Sequence, residues 1–186
     1  MKKYKNINPF TDIDLLIGGL QKEDNRNLKM TRNFQWVMWA FVLLYALRFL
    51  IFPGNDINWT ERLGGLFYVL AFASFALAFR KLYNGYRSVD YGVSTVEMLN
   101  QAIKRYKYLH RKLPMIIIPF LLIDAGEVLL TYDHDKSTSI LTTIIHTQII
   151  LFLSIGIGMT IGTFIWRKRQ KPLRDAAIAL LKEIES

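Results

Sequence analysis

Four stretches of the chain carry almost no charge, and the segments between them place apolar residues at helical spacing among polar ones. The apolar windows are Phe34 to Phe52, Leu63 to Phe79, Pro114 to Tyr132 and Ile140 to Trp166. Each is close to the roughly 20 residues with which an α-helix crosses about 30 Å of hydrocarbon. A soluble fold would need shorter helices with a polar face. The pattern therefore predicts an all-α integral membrane protein: four transmembrane helices with amphipathic cytoplasmic helices.

The linking segments predict three such amphipathic helices. In "TDIDLLIGGLQKEDN" Thr11 is placed to cap a short helix with Asp14 in the capping-box position, and Ile13, Leu16, Ile17 and Leu20 fall on one face. In "STVE" Ser94 and Glu97 form an S-x-x-E box, after which Val96, Leu99, Ile103, Tyr106 and Leu113 repeat at helical spacing. In "KPLRDAAIALLKEIES" Pro172 sits early, and Leu173, Ala177, Leu180, Leu181 and Ile184 form a third stripe. Such stripes can pack on one another, lie on lipid headgroups or hold a partner helix.

Charge sets the threading. The net charge is +9, and 21 of the 24 Lys and Arg fall in residues 1–33, 80–113 and 167–186. The short connections Pro53 to Arg62 and Asp133 to Ser139 hold one cation each against two acids each. The positive-inside rule then gives a cytoplasmic N-terminal helical segment 1–33, a first transmembrane hairpin 34–79 with spans 34–52 and 63–79, and a cytoplasmic amphipathic segment 80–113. A second hairpin 114–166 with spans 114–132 and 140–166 and a cytoplasmic C-terminal helix 167–186 follow. The first helix serves as its own insertion signal, since a segment of 33 residues rich in polar and charged side chains precedes it. The Lys- and Asn-rich opening "MKKYKNINPF" fits a bacterial inner membrane protein with both termini cytoplasmic. Basic flanks beside a bilayer meet anionic headgroups, so lipid rather than nucleic acid is the expected partner of the charge.

The third window, "LPMIIIPFLLIDAGEVLLTY", carries Asp124 and Glu127 near its middle. An acid at mid-membrane costs about 2.5 to 3.5 kcal/mol, and each large aliphatic residue returns about 0.3 to 0.6. Two acids bring the window near neutrality, so partners are required. Arg48, about 6 Å from the outer end of the first window, matches Glu127, about 7.5 Å from the outer end of the third. His146 in the fourth window and Tyr68 in the second reach comparable depth. Arg48, Asp124, Glu127, His146 and Tyr68 are thus expected to form a buried polar cluster. It can be an ion pair that fixes helix order, a cavity for protons, a cation or a small polar ligand, or a metal site of Asp124, Glu127 and His146 with the outer Asp133 to Asp135. The spacing matches no metal signature, and neither metal nor cofactor is expected.

Ser154, Gly158 and Gly162 form one small-residue ridge and Ala71, Ser74 and Ala78 another, both expected to support close helix packing. Pro119 should bend the third span, and Trp36, Trp39, Trp59 and Trp166 read as an aromatic belt. With no cysteine, disulfides, thiolate catalysis and Cys-bound metals are excluded. No nucleophile elbow, P-loop, H-E-x-x-H or dinucleotide fingerprint occurs, so no enzymatic activity is expected.

The stretch "FRKLYNGYRSVDYGVSTVEMLNQAIKRYKYLHRKLPMIII" and the closing "LRDAAIALLKEIES" resemble small four-span inner-membrane proteins of Bacteroidota, often encoded beside extracytoplasmic-function sigma factors. The likeness lies in a basic K-R-Y-K-x-x-x-R-K helix leading into the third span and in a charged helical tail. It implies a regulator with an anti-sigma-like hold on a cytoplasmic protein partner, and carries over no functional residues. Three classes follow as expectations: a regulatory or protein-interaction protein, a small transporter or channel subunit using the Asp/Glu/His cluster, and a structural subunit of a membrane complex. Homo-oligomerisation is left open.

Overall fold

Absence of Pro and Gly from residues 20–52 leaves nothing to interrupt a helix there, and none is interrupted. In the computed structural model, which describes residues 9–54, 57–108, 113–134 and 140–185, helix α1 runs unbroken from Pro9 to Ala46. It continues through a π-helical turn, Leu47–Ile51, and stops at Phe52 before Pro53. The sequence suggested a short cytoplasmic helix capped at Thr11, followed by a separate span. Instead the helix begins at Pro9, where a missing N–H costs nothing, and Thr11 lies inside it. The polar run between the two expected pieces lowers hydropathy without lowering helix propensity.

Helix α2 spans Trp59–Arg87, and the backbone N–H of Asn58 donates to Glu61 Oε2 at 3.0 Å across its first turn. Helix α3, Thr95–Arg105, begins at the expected Ser94, whose Oγ accepts from the Glu97 N–H at 3.4 Å. Helix α4 is Leu113–His134 and contains the fully buried Pro119. Helix α5, Ile140–Ile165, passes through a second π-helical turn, Trp166–Gln170, directly into α6, Lys171–Glu185. Both π turns close one residue before a proline, 53 and 172, which has no N–H with which to continue the α-helical ladder. Among the described residues every element is helical. Three helical stretches, Ile13–Ile51, Trp59–Arg87 and Ile144–Glu185, are long and apolar enough to cross a membrane.

Helix α2 lies between α1 and α4. An aromatic ladder sets the antiparallel register of α1 on α2: Phe34 stacks on Phe79 with centroids 5.4 Å apart, Phe41 on Phe72 at 5.1 Å, and Tyr45 on Tyr68 at 5.0 Å. Each such pair contributes about 0.5–1.5 kcal/mol beyond its buried area. The backbone of α4 also comes close to α2, beside the ladder. A Cβ at Gly64 would lie 2.9 Å from the Gly126 carbonyl oxygen, and one at Gly126 would lie 3.0 Å from the Gly64 oxygen. These two glycines let the α2 and α4 backbones approach each other closely. Of the expected α2 ridge, Ala71 is fully buried while Ser74 and Ala78 are half-buried. On α5, Ser154, Gly158 and Gly162 are exposed, and a Cβ at either glycine would meet nothing within 4 Å.

Below the apolar region the three amphipathic stripes close on one another. Met98 and Leu99 of α3 and Ala177 and Leu180 of α6 form a core with Ile13, Leu16 and Ile17 of α1 packed against it. A second core joins Leu20, Ala102 and Tyr106, with Leu173 against it. The stripe of the first fifteen or so helical residues is therefore used internally, one of the three roles its pattern allowed. Val96 and Ile184, assigned to stripes by spacing, are 38% and 45% exposed and stand outside this base.

Candidate functional site

Polar side chains gather in two places, half-buried among the apolar helices and buried in the base. In the first, Asp124 and Glu127 stand three residues apart on α4 and receive neutral donors from two different helices. The Tyr68 hydroxyl of α2 donates to Glu127 Oε2, and the Gln148 amide of α5 donates to Asp124 Oδ1. Gly126 leaves room for the Tyr68 ring, since a Cβ there would meet Tyr68 Cδ2 at 2.9 Å. Tyr45 stacks on that ring with centroids 5.0 Å apart. A hydrogen bond to a charged acceptor contributes about 1.5–3 kcal/mol, comparable with the insertion cost of the acid it serves.

Of the five residues expected here, Tyr68 and Glu127 are joined directly and Asp124 is one turn away. Arg48 is exposed in the π-helical turn after α1, its guanidinium 5.9 Å from the centroid of the Phe49 ring. His146 is exposed on α5. Among the described residues no three His, Cys, Asp or Glu side chains gather as a metal site, and the Asp133 to Asp135 side chains lie outside the described set. Gln148 was not weighed from sequence, although depth arithmetic finds it. It lies eight residues into α5 and Asp124 lies eight from Tyr132, about 12 Å each.

The second site centres on Asp24 of α1, which is 4% exposed. Its Oδ1 accepts from the Tyr106 hydroxyl at 2.6 Å and its Oδ2 from the Tyr91 hydroxyl at 2.6 Å. Arg105 Nη2 approaches Oδ2 at 3.1 Å. One carboxylate thereby ties α1 to the C-terminal end of α3 and to the turn that follows α2. The tie extends further, because Trp166 at the base of α5 donates its indole N–H to the Tyr106 carbonyl at 2.9 Å. Beside Asp24, Glu23 pairs with Arg26 at 3.1 Å, and Asn27 is 2% exposed. Burial, and after it the hydrogen bond to Asp24, pushes the phenols of Tyr91 and Tyr106 well above their ordinary range. Both remain donors at any physiological pH.

Sequence reasoning passed over Asp24, yet the signal was present. Continuing the stripe Ile13, Leu16, Ile17, Leu20 by steps of four and three reaches Asp24, Asn27 and Thr31, all of which are buried. Comparison with protein-family models, curated proteins and solved structures gives no match to this chain.

Proposed function

We propose that this chain is a four-span inner-membrane regulatory protein that presents a cytoplasmic helical base to a protein partner, with both termini in the cytoplasm. The observation that carries the reading is the Asp24 junction. Two helices run without a break from the apolar region into the base, and Asp24, Tyr106 and Trp166 bind them to each other through the end of α3. A change in how the spans sit is then felt in the base, as a transducer requires. Counting α4 as the fourth span is supported by its 22 residues, its packing along α2, and the donors that meet its acids from α2 and α5. The charge asymmetry of the connections supports the orientation.

Because the amino-terminal stripe is engaged on α3 and α6, a partner is met on the outside of the base, where Leu15, Val96 and Ile184 are exposed, or captures the stripe by opening it. A sigma factor, which the resemblance implies, is the first candidate. The test is a pull-down of the full chain from native membranes in mild detergent, with mass spectrometry of what co-purifies. A cytoplasmic protein retained by the wild type, and retained differently by Asp24→Asn, supports the reading. A tail-fused reporter found outside the cell would overturn the threading.

A second reading, a small transporter or channel subunit, is favoured by one observation: two carboxylates one turn apart on α4 accept hydrogen bonds from Tyr68 and Gln148 of two other apolar helices, and intramembrane acids mark ion or proton pathways. Under it Asp124→Asn stops flux in proteoliposomes, while Asp24→Asn leaves flux intact.

A further inference from the structure

Two adjacent glycines, Gly18 and Gly19, divide the part of α1 that packs in the base, and the helix runs through both. Only one of them has a packing reason. A Cβ at Gly19 would meet Leu173 Cδ2 of α6 at 3.0 Å, whereas a Cβ at Gly18 would meet nothing within 4 Å. A helical glycine with room for a side chain weakens the helix without gaining a contact, so the pair is where α1 bends at least cost.

The helix is held differently on the two sides of this pair. Beyond it Leu20, Asp24 and Asn27 are buried. Among the described residues the polar ties from α1 to the rest of the base lie there as well: Tyr91 and Tyr106 donate to Asp24, and the Tyr106 hydroxyl reaches the Leu20 carbonyl at 3.4 Å. Before the pair, Ile13, Leu16 and Ile17 are half-buried and reach the core of Met98, Leu99, Ala177 and Leu180 by apolar contact, while Leu15 is 61% exposed. Residues 13–17 are thus a sparingly held arm lying over the apolar seam of α3 and α6. The seam accepts a helix with aliphatic residues at i, i+3 and i+4, because the arm already seated on it carries that pattern.

We infer that the α3–α6 face beneath residues 13–17 is the partner-binding surface of the base, and that the arm, bending at Gly18 and Gly19, is its internal occupant. The partner it fits is an amphipathic helix whose aliphatic residues repeat the spacing of Ile13, Leu16 and Ile17. The inference rests on the reading that the base meets a protein partner, and it names the surface and the competitor. Tethering gives the arm a high effective concentration, so the surface stays covered until a helix of better fit displaces it. Asp24 keeps the remainder of α1 in place meanwhile, and the junction need not part.

A labelled peptide copying residues 9–20 is titrated against the full chain in lipid nanodiscs, and amide exchange of residues 13–17 is followed in parallel. Ile13→Ser/Ile17→Ser loosens the arm and should tighten peptide binding tenfold or more. Gly18→Ala fits the open space and favours the straight helix, so it should slow exchange in the arm and weaken peptide binding, each about fourfold. Exchange in α2 should match wild type in both variants. Peptide affinity within twofold of wild type in the loosened chain overturns the inference, as does exchange of the arm that Gly18→Ala leaves unchanged. The second readout stands even where the Ser variant fails to fold, since an alanine in open space does not destabilise the helix. In a pull-down from native membranes, a protein retained equally by wild type, Gly18→Ala and the Ser variant also overturns the arm as competitor and leaves the partner reading intact. Retention of no protein by any of the three fells the partner reading, while peptide binding and exchange still decide the arm.

Discussion

Replacing Asp24 tests how the base is held to the first long helix. The carboxylate accepts two phenolic hydrogen bonds at 2.6 Å and faces a guanidinium at 3.1 Å. In Asp24→Asn one oxygen becomes an NH₂ that cannot accept from either Tyr91 or Tyr106, so at least one phenol loses its acceptor and Arg105 loses its counter-charge. A hydrogen bond to a charged group contributes about 1.5–3 kcal/mol, and an orphaned buried ion costs about 3–5 kcal/mol. The Arg105 side chain is 16% exposed and regains some hydration, so the lower half of these ranges applies and about 2–3 kcal/mol is expected. Asp24→Ala removes both acceptors and should cost about 3–5 kcal/mol. Hydrogen exchange in detergent reads this where it acts: α3 amides should exchange roughly 30- to 100-fold faster in Asp24→Asn, at tenfold per 1.4 kcal/mol, while those of α2 change little. In a double-mutant cycle with Arg105→Met the two losses should overlap by 1 kcal/mol or more, as groups in direct contact do. Exchange in α3 within twofold of wild type for both Asp24 variants would refute the reasoning.

Other predictions follow from single contacts. Tyr68→Phe strips Glu127 of the phenolic donor and should cost about 1–3 kcal/mol in thermal unfolding in detergent. Gly126→Ala forces apart two backbones that would meet at 3.0 Å and should destabilise by about 1–3 kcal/mol, while Gly158→Ala, with nothing within 4 Å, should be neutral or stabilising by up to about 1 kcal/mol; equal effects would remove the α2–α4 approach. The Tyr91 and Tyr106 phenols have folded-state pKa values above their unfolded value of 10.0, so their contribution to the base is complete below pH 10 and is lost as pH rises above it. Ultraviolet titration should show tyrosinate absorbance lagging in the folded chain, and Tyr91→Phe/Tyr106→Phe should shrink the lag, while Tyr86, pushed up to about 12 by burial, still contributes to it.

Helix content and the apolar windows were legible because their signals are long and local: twenty uncharged residues, or a stripe repeated three or four times. Ser94 and Glu97 show how well a cap motif reads when nothing competes with it. What escaped was pairwise. Gly64 and Gly126 are unremarkable one at a time and acquire meaning only when α4 lies on α2. Gln148 was overlooked because the search for partners to Asp124 and Glu127 compared charges, and an uncharged amide suffices within an apolar bundle. Asp24 drew no reading from sequence, since an acid on an amphipathic helix is usually solvated. Its neighbours on the stripe carried the contrary signal, but the Tyr91 and Tyr106 hydroxyls lie 67 and 82 residues away in the chain. The Ser154, Gly158 and Gly162 ridge is exposed: small residues permit a close approach without requiring that this chain supply the neighbour.

A rod that long also behaves as a lever. From Phe34, where the first apolar window begins, back to Ile13 the unbroken α1 extends about 31 Å, so pivoting it by about 10° at the bilayer surface swings its far end through about 5 Å. Asp24 lies about 15 Å from that pivot and would move about 2.6 Å, more than its hydrogen bonds can stretch and survive. Small tilts in the lipid phase must therefore either be carried whole into the base or be met by letting go at Asp24, and the fold has no soft joint between Leu20 and Phe52 in which to lose them.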